Sequence, residues 1–471
     1  MDSEGGDAIS EVPAKGLFEA FRSAGKELYL VGGYVRDTLL GGTSGDLDFA
    51  TSALPAETTE ILESRGLKAI PIGIEFGTVA TRIEHLGRTV QVEITTYRCS
   101  ESYRKGSRHP EVAFGESLEG DLIRRDFTVN AMAMDRDGEV VDPFGGREDL
   151  QEGVIRTPLD PVTTFREDPL RMLRAVRFAA RLGFVIEEGT RAALDSERES
   201  IGEISRERWK QEMDGILSIE DGTAAARALG LLRETGLLLE MMPEFGPMLE
   251  MGEAPQGSAH EKGVWGHTVD VVSTLPPRTV LRWAGLLHDL GKPSSRTVDE
   301  EGRPHFYGHE RAGAEMAADI ADRFRFSRRD RKALLFLVRS HMRPVLYDGG
   351  WGDHAVAKLA GEAGEHLQDL LELARADITA HSAEYREKGL GSLSELTGRI
   401  EELSPDSGER LLPKELGSML EKRLGEAGQG GRRVGLILDR LEELVRSGEL
   451  PVMSDPSIYL RFLRDSGDLP D

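Results

Sequence analysis

Two carboxylates one residue apart, Asp46 and Asp48, follow a Gly-rich turn. On a strand, residues i and i+2 share a face, so both would point the same way. Adjacent like charges repel and sit together most readily with a cation between them. A hard ion such as Mg²⁺, held by carboxylates and by substrate phosphates, suits that arrangement. Just upstream, the apolar run 28–31 ends in Gly32 and Gly33, and 34–40 reads as a helical turn or two. Strand, paired glycine and helix start make a phosphate cradle: glycine admits close backbone approach, and free amides at a helix N-terminus attract anions. Arg36 in the first turn supplies a cation for a phosphate. Either half alone is usually a plain turn or a capping cluster. Together, within 27–51, they point to nucleotidyl transfer.

More chemistry-bearing residues follow. In 90–95, Val90, Val92 and Ile94 alternate with Gln91, Glu93 and Thr95, so the stretch reads as a strand. Spacing leaves Glu93 open between a third carboxylate of the metal site and a solvent-side glutamate. The polar segment 98–110 carries Arg98, Arg104, Lys105 and Arg108 and reads as a mobile loop, with Arg104, Lys105 and Arg108 as candidate RNA contacts. In 121–131, Arg124, Arg125, Asp126, Thr128 and Asn130 form a dense polar cluster. It is either an ion-paired structural turn or a phosphate and ribose contact set. Asp168 and Pro169 are good helix-start residues. At about 100° per residue, Arg171, Arg174, Arg177 and Arg181 share about a third of the circumference, with Leu173, Val176 and Ala180 opposite. Asp168 and Arg171 lie one turn apart. A carboxylate accepts from an exocyclic amine and a guanidinium donates to ring and carbonyl acceptors, so such a pair could read a cytosine or adenine edge without a nucleic-acid template.

A second constellation spans 261–386: His267, the adjacent His288 and Asp289, His309, His341 and Asp377. A lone histidine is usually structural, but this ordered set offers good ligands for divalent transition metals.

The elements that must position these groups divide the chain in two. From 26 to about 146, β-rich runs such as 78–84 and 89–95 alternate with helices. From about 149 onward helical periods dominate, as in 169–182, 223–241 and 367–381. The fold class expected is an α/β (α+β) head with a small mixed sheet, then all-α regions: tail 1–25, head 26–148, neck 149–215, body 216–260, histidine-rich domain 261–386 and helical tail 387–471. The chain's 471 residues suffice for several domains. No run of eighteen apolar residues suggests a membrane span, and 1–15 lacks the pattern of a signal peptide. The single Cys99 precludes an intrachain disulfide, which fits a cytoplasmic setting. A net charge of −24 argues against a generally nucleic-acid-sticky surface, so RNA contact must use local basic patches.

LVGGYVRD with DLDFAT, then RRDFTVNAMAMD, DPFGG and EDPLRMLRAVRFAARLGF, in order across 28–250 with SRERWKQEM and GLLRETGLLLEMMPE, resemble the class II tRNA CCA-adding enzyme and bacterial poly(A) polymerase family. The resemblance implies two metal ions on Asp46 and Asp48. It implies that Gly33 and Arg36 hold the incoming nucleotide, together with Arg125, Asp168, Arg171, Arg174 and Arg177. Gly32, Asp126 and Asn130 complete the expected nucleotide-binding set. Asp168 and Arg171 would be the amino-acid template for CTP and ATP. Expected partners are the 3′ end and acceptor arm of tRNA, with CTP and ATP and no membrane, in a monomer or homodimer. The histidine-rich region resembles the HD phosphohydrolase domain. That implies His267, His288, Asp289 and Asp377 as ligands of Ni²⁺, Mn²⁺ or a similar ion, with His309 and His341 adding a second metal. The function expected is addition or repair of the tRNA 3′ CCA, with a second phosphohydrolase activity. The alternatives are a poly(A) polymerase or A-adding enzyme, and an HD phosphohydrolase with a non-catalytic RNA-binding head.

Overall fold

The computed structural model describes residues 15–42, 47–85, 88–103, 110–115, 117–252, 263–403, 412–426, 455–466 and scattered positions in 434–452 and 468–469. Asp46, Arg104, Lys105 and Arg108 lie outside them. The chain forms two compact units, one of residues 1–350 with 361–395, the other of 351–360 with 396–471. The first holds everything that bears on chemistry. The second is helical around Leu416, Leu420, Leu441, Tyr459 and Leu463. Among the described residues, no helix is long and apolar enough to cross a membrane.

The head is built on a seven-stranded mixed sheet, and the rest of the first unit is mainly helical, as the sequence predicts. Its strands are β1 (Leu28–Val31), β2 (Leu47–Thr51), β3 (Ile70–Gly73), β4 (Thr78–His85) and β5 (Arg88–Thr96), with β8 (Ala133–Met134) and β9 (Val140–Val141). The order is β3-β4-β5-β2-β1-β8-β9. Among the described residues of this sheet, only β2 and β5 pair in parallel. Alternation decides which side chains go inside: Leu47, Phe49, Val92 and Ile94 are buried, while Asp48 between them is exposed. Helices Lys15–Ser23 and Pro55–Ser64 supply Phe18, Phe21, Ile61 and Leu62 to this core, and Phe18 meets Phe49 edge to face with centroids 5.6 Å apart.

Two local expectations need correction. The segment read as a mobile loop is partly a two-stranded ribbon, because β6 (Arg98–Tyr103) pairs antiparallel with β7 (Pro110–Phe114). Its polar composition hides the pairing. Within 223–241 one helical period gives two helices, Gly222–Glu234 and Leu237–Met241. The break is Gly236, whose φ of 73° is left-handed and ends the first helix.

Candidate active site

An open cavity of about 760 Å³ is lined by residues of the central strands β1, β2 and β5 and by the arginine helix of the neck. Its lining brings together Gly32, Gly33, Arg36, Asp48, Glu93, Arg125, Asp126, Asn130, Asp168, Arg171, Arg174 and Arg177. Residues from four separate sequence segments thus meet in one cleft.

Asp48 and Glu93 are register partners on the parallel strands β2 and β5. Partners in adjacent strands stand about 5 Å apart with side chains on one face. Spacing left Glu93 open; the register sets it beside Asp48 in the cleft lining. Two hard anionic oxygen donors side by side in a solvent-accessible cleft fit a divalent cation.

The glycine pair turns the chain from β1 into helix Gly33–Leu39. Gly32 has φ 68° and ψ −127°, a left-sided conformation. A Cβ there would sit 3.1 Å from Arg125 Nη1. Backbone and cation can therefore meet closely at the cleft wall. Arg36, expected as a cation for phosphate, lines the cleft and is also tied down by its neighbours. It is buried, its Nη1 donates to Asn130 Oδ1 at 2.7 Å, and its Nε donates to Asp37 Oδ1 at 2.8 Å. Its guanidinium lies over the Phe178 ring at 5.2 Å, a ring that Arg174 and Arg177 also approach, at 5.3 and 4.8 Å.

The arginine stripe lies on helix Leu170–Leu182, with Leu173, Val176 and Ala180 buried opposite. The helix starts one residue later than expected. Asp168 is extended, and its Oδ1 accepts from Leu170 N at 3.2 Å. Arg174 Nε donates to the buried Asp126 at 2.7 Å, and Arg177 Nε donates to the buried Glu212 at 2.7 Å. Asp126 also accepts from Asn130 Nδ2 at 3.0 Å. Burial opposes its charge, yet Arg174 and the Asn130 hydrogen bond hold its carboxyl below the ordinary 3.8. A depressed folded-state pKa means stability that is complete above the ordinary value and lost as pH falls through the folded one. Asp126→Ala should therefore cost about 2–4 kcal/mol at neutral pH by stranding its partners. Asp126→Asn should flatten the loss of stability below about pH 4, measured by urea unfolding across pH.

Asp168 and Arg171, expected to read a base edge together, both line the cleft, and Asp168 is held by Arg208. Arg208 Nη1 donates to Asp168 Oδ1 at 3.1 Å and Nη2 donates to Oδ2 at 2.8 Å. Arg171 Nη2 donates to the carbonyl of Arg124 at 2.7 Å. Arg208 and Glu212 escaped the sequence reading. Their signal was a charged i, i+4 pair on helix Arg206–Leu217, whose Trp209 and Met213 are buried.

The second constellation is also assembled. His267, His288, Asp289, His309, His341 and Asp377 are all buried and come from five helices or their ends. Their ligand atoms form two groups, His267 with His288 and Asp377, and Asp289 with His309 and His341. Asp289 faces both: Oδ2 is 3.2 Å from His288 Nε2, and Oδ1 is 3.4 Å from His309 Nε2. Three rings have a fixed tautomer, because Nδ1 lies against a carbonyl that can only accept. The pairs are His288 with Gly285 O at 2.8 Å, His309 with Phe306 O at 2.7 Å and His341 with Val338 O at 2.7 Å. With Nδ1 protonated, Nε2 of His309 and of His341 carries a lone pair when the ring is neutral. Yet His309 Nε2 and His341 Nε2 face each other at 3.2 Å. Facing lone pairs call for a cation, so this donor set fits a transition-metal centre. Burial pushes His341 down to about 3, which keeps its ring neutral. Against burial, His288 and Lys292 hold the Asp289 carboxyl well below its usual range; Lys292 Nζ is 2.7 Å from Oδ2. Lys292 is a further residue the spacing did not single out.

Gly291 makes the approach of these helices possible. A Cβ there would lie 2.2 Å from His309 O and 2.5 Å from Gly313 N. Gly291→Ala should therefore destabilise by about 2 kcal/mol or more. It should also weaken Mn²⁺ binding by shifting His309. Thermal melting and metal titration check this.

Comparison with known proteins matches the two sites to two families. Residues 28–156 match the family described as poly A polymerase head domain, and residues 259–381 match the HD domain. Residues 183–249 match a family described as "Probable RNA and SrmB- binding site of polymerase A". A CCA-adding enzyme of Geobacillus thermodenitrificans is 41% identical over 283 residues, covering 60% of this chain and 64% of that protein. One from Geobacillus stearothermophilus is 45% identical over 224 residues, covering 48% and 53%. The chain thus spans between half and two thirds of the length of the curated relatives it matches. The crystal structure of the Bacillus stearothermophilus CCA-adding enzyme in complex with CTP aligns with 99% of this chain and 100% of that one, with a TM-score of 0.63 and 28% identity. The family resemblance read from the motifs is borne out.

Proposed function

We propose that the chain is a template-independent tRNA nucleotidyltransferase that builds or repairs the 3′-terminal CCA from CTP and ATP. The single observation carrying this reading is the cleft that joins a carboxylate pair on β2 and β5 to the Asp168 and arginine surface of the neck. The names of the curated relatives and the CTP complex of the similar crystal structure support it.

In this reading Gly32 and Gly33 admit the triphosphate against the backbone. Arg125, Arg171, Arg174 and Arg177 surround it with positive charge. Arg36 acts from beneath: by holding Asn130 it fixes the polar cluster of 126–130. The 3′-oxygen of the RNA attacks the α-phosphorus, the bond from that phosphorus to the bridging oxygen breaks, and pyrophosphate leaves with the electron pair. The hydroxyl proton passes to solvent. Asp46, Asp48 and Glu93 are the groups that would hold Mg²⁺, which when bound acidifies a hydroxyl and neutralises developing phosphate charge. The carboxylate of Asp168 accepts from the amine of cytosine or adenine, and Arg171 donates to ring acceptors. Arg104, Lys105 and Arg108 remain the proposed RNA contacts.

The histidine centre adds a metal-dependent phosphohydrolase to the proposal: phosphatase, 2′-nucleotidase or 2′,3′-cyclic phosphodiesterase. His267, His288, Asp289 and Asp377, with His309 and His341, would hold Ni²⁺ or Mn²⁺.

The test supplies tRNA lacking CCA, tRNA ending in CC and an unrelated RNA, with CTP and ATP separately and together. Sequenced products should show CC from CTP alone on the first substrate, a single A on the second, and nothing on the third. Long adenosine tails on all three would make the chain a poly(A) polymerase instead.

A further inference from the structure

Asp168 lies between two helices, Pro161–Glu167 and Leu170–Leu182, in extended backbone with φ −145° and ψ 96°. From the second helix, Leu170 N donates to Oδ1 alone at 3.2 Å, a single contact that does not set the carboxylate plane. Arg171, the residue that sequence spacing offers as its companion, donates instead to the carbonyls of Arg124 at 2.7 Å and Thr164 at 3.3 Å. What fixes the Asp168 plane is the two-pronged contact from Arg208. Parallel N–H···O bonds from one planar guanidinium to both oxygens leave a carboxylate little freedom to rotate. Both side chains are mostly buried, Arg208 16% exposed and Asp168 13%. Both line the cavity.

We propose that Arg208 is a positioning residue for base selection: its grip on Asp168 presents a fixed, acceptor-only edge to the incoming nucleotide. The proposal rests on the nucleotidyltransferase reading above. A carboxylate offers about four lone-pair sites; the fork occupies two and Leu170 N a third, so acceptor capacity remains for an exocyclic amine. Cytosine and adenine present such an amine; uracil and guanine present a carbonyl there. A pinned carboxylate rewards the first pair and repels the second. Without the pin, Asp168 can turn away while the guanidiniums of Arg171 and Arg174 stay. Those donors favour carbonyl-bearing bases, so selectivity and not only affinity should change. Helix Arg206–Leu217 supports this role from outside the arginine helix. Arg208 holds Asp168, and one turn later Glu212 holds Arg177. The second helix thus sets the geometry of the first.

The experiment uses the full chain with Arg208→Ala, Arg208→Gln and Arg208→Lys. It measures kcat and KM for CTP, UTP, ATP and GTP on tRNA lacking CCA and tRNA ending in CC. Equilibrium binding of CTP and UTP without RNA is measured alongside. Arg208→Ala and Arg208→Gln should reduce the CTP-over-UTP and ATP-over-GTP preference in kcat/KM at least about tenfold, the scale of one charge-assisted hydrogen bond. The change should lie mainly in KM. Arg208→Lys should restore part of it, since an ammonium grips one oxygen and not the plane. The CTP-over-UTP binding ratio should fall in the same order. If folded variants lose activity on all four nucleotides equally and keep the binding ratio, Arg208 is a helix tether and the proposal is wrong. Wild-type ratios in Arg208→Ala and Arg208→Gln overturn it as well. Absence of wild-type nucleotide addition would instead defeat the nucleotidyltransferase reading. The RNA-free CTP and UTP ratios across the variants would still decide the role of Arg208. Variants that do not fold, judged by melting, leave the decision to Arg208→Lys: an unchanged ratio there counts against the proposal.

Discussion

Asp48→Ala is expected to lower nucleotide addition to tRNA by about 10³-fold or more, while hydrolysis of a small phosphate ester continues at the wild-type rate. The expectation rests on the register that sets Asp48 beside Glu93 on neighbouring strands. Removing one of these oxygen donors leaves too few ligands to hold a divalent ion against the substrate phosphates, and such ions account for several kcal/mol of transition-state stabilisation. Asp48 is exposed on the sheet surface, so its loss leaves no cavity in the core. The melting temperature should therefore stay near wild type, which separates lost chemistry from lost fold. Primer-extension rates on tRNA lacking CCA, with p-nitrophenyl phosphate hydrolysis in parallel, check both halves. Retained addition would remove the carboxylate pair from the mechanism.

The reciprocal change is Asp289→Ala. Asp289 has oxygens that face both histidine groups, at 3.2 Å from His288 and 3.4 Å from His309. Its loss should empty the centre of tightly bound divalent metal and reduce phosphohydrolase activity by about 10³-fold, because ligand and charge disappear together. Nucleotide addition should persist, since no residue of the cleft lies in 264–381. Elemental analysis of the purified variant gives a readout independent of turnover. The stranded Lys292 and histidines should make the variant less stable, so Asp289→Asn, which keeps the shape, is the control. Metal content and hydrolysis at wild-type levels in both variants would show that the histidine cluster is structural.

How much of this was legible in the sequence depends on how locally each feature is encoded. The glycine turn and Asp48 lie within 25 residues, and strand periodicity alone gives the direction of the carboxylate. The arginine stripe follows from helical period, and Leu173, Val176 and Ala180 are buried as that period demands. The histidine set showed itself because residue type is scarce and distinctive. What periodicity cannot supply is the partner of a charge. Asp168 and Arg171 are neighbours on a helical wheel, yet Asp168 bonds a guanidinium forty residues away. Arg36 looks like a phosphate ligand beside a glycine pair. Its buried contact to Asn130, ninety-four residues on, has no signal in that local pattern. Polar composition likewise concealed the β6–β7 pairing, since ribbon formation depends on register between segments and not on apolar content. Local chemistry was legible; long-range commitment of side chains was not.

The most direct measurement is one incubation of the full chain with tRNA lacking CCA and all four nucleotides at equal concentration, followed by sequencing of the 3′ ends. Most ends should read CCA, with uridine and guanosine rare and no extension beyond the adenosine, as CCA addition requires. Ends carrying runs of adenosine, or all four bases without preference, would contradict it.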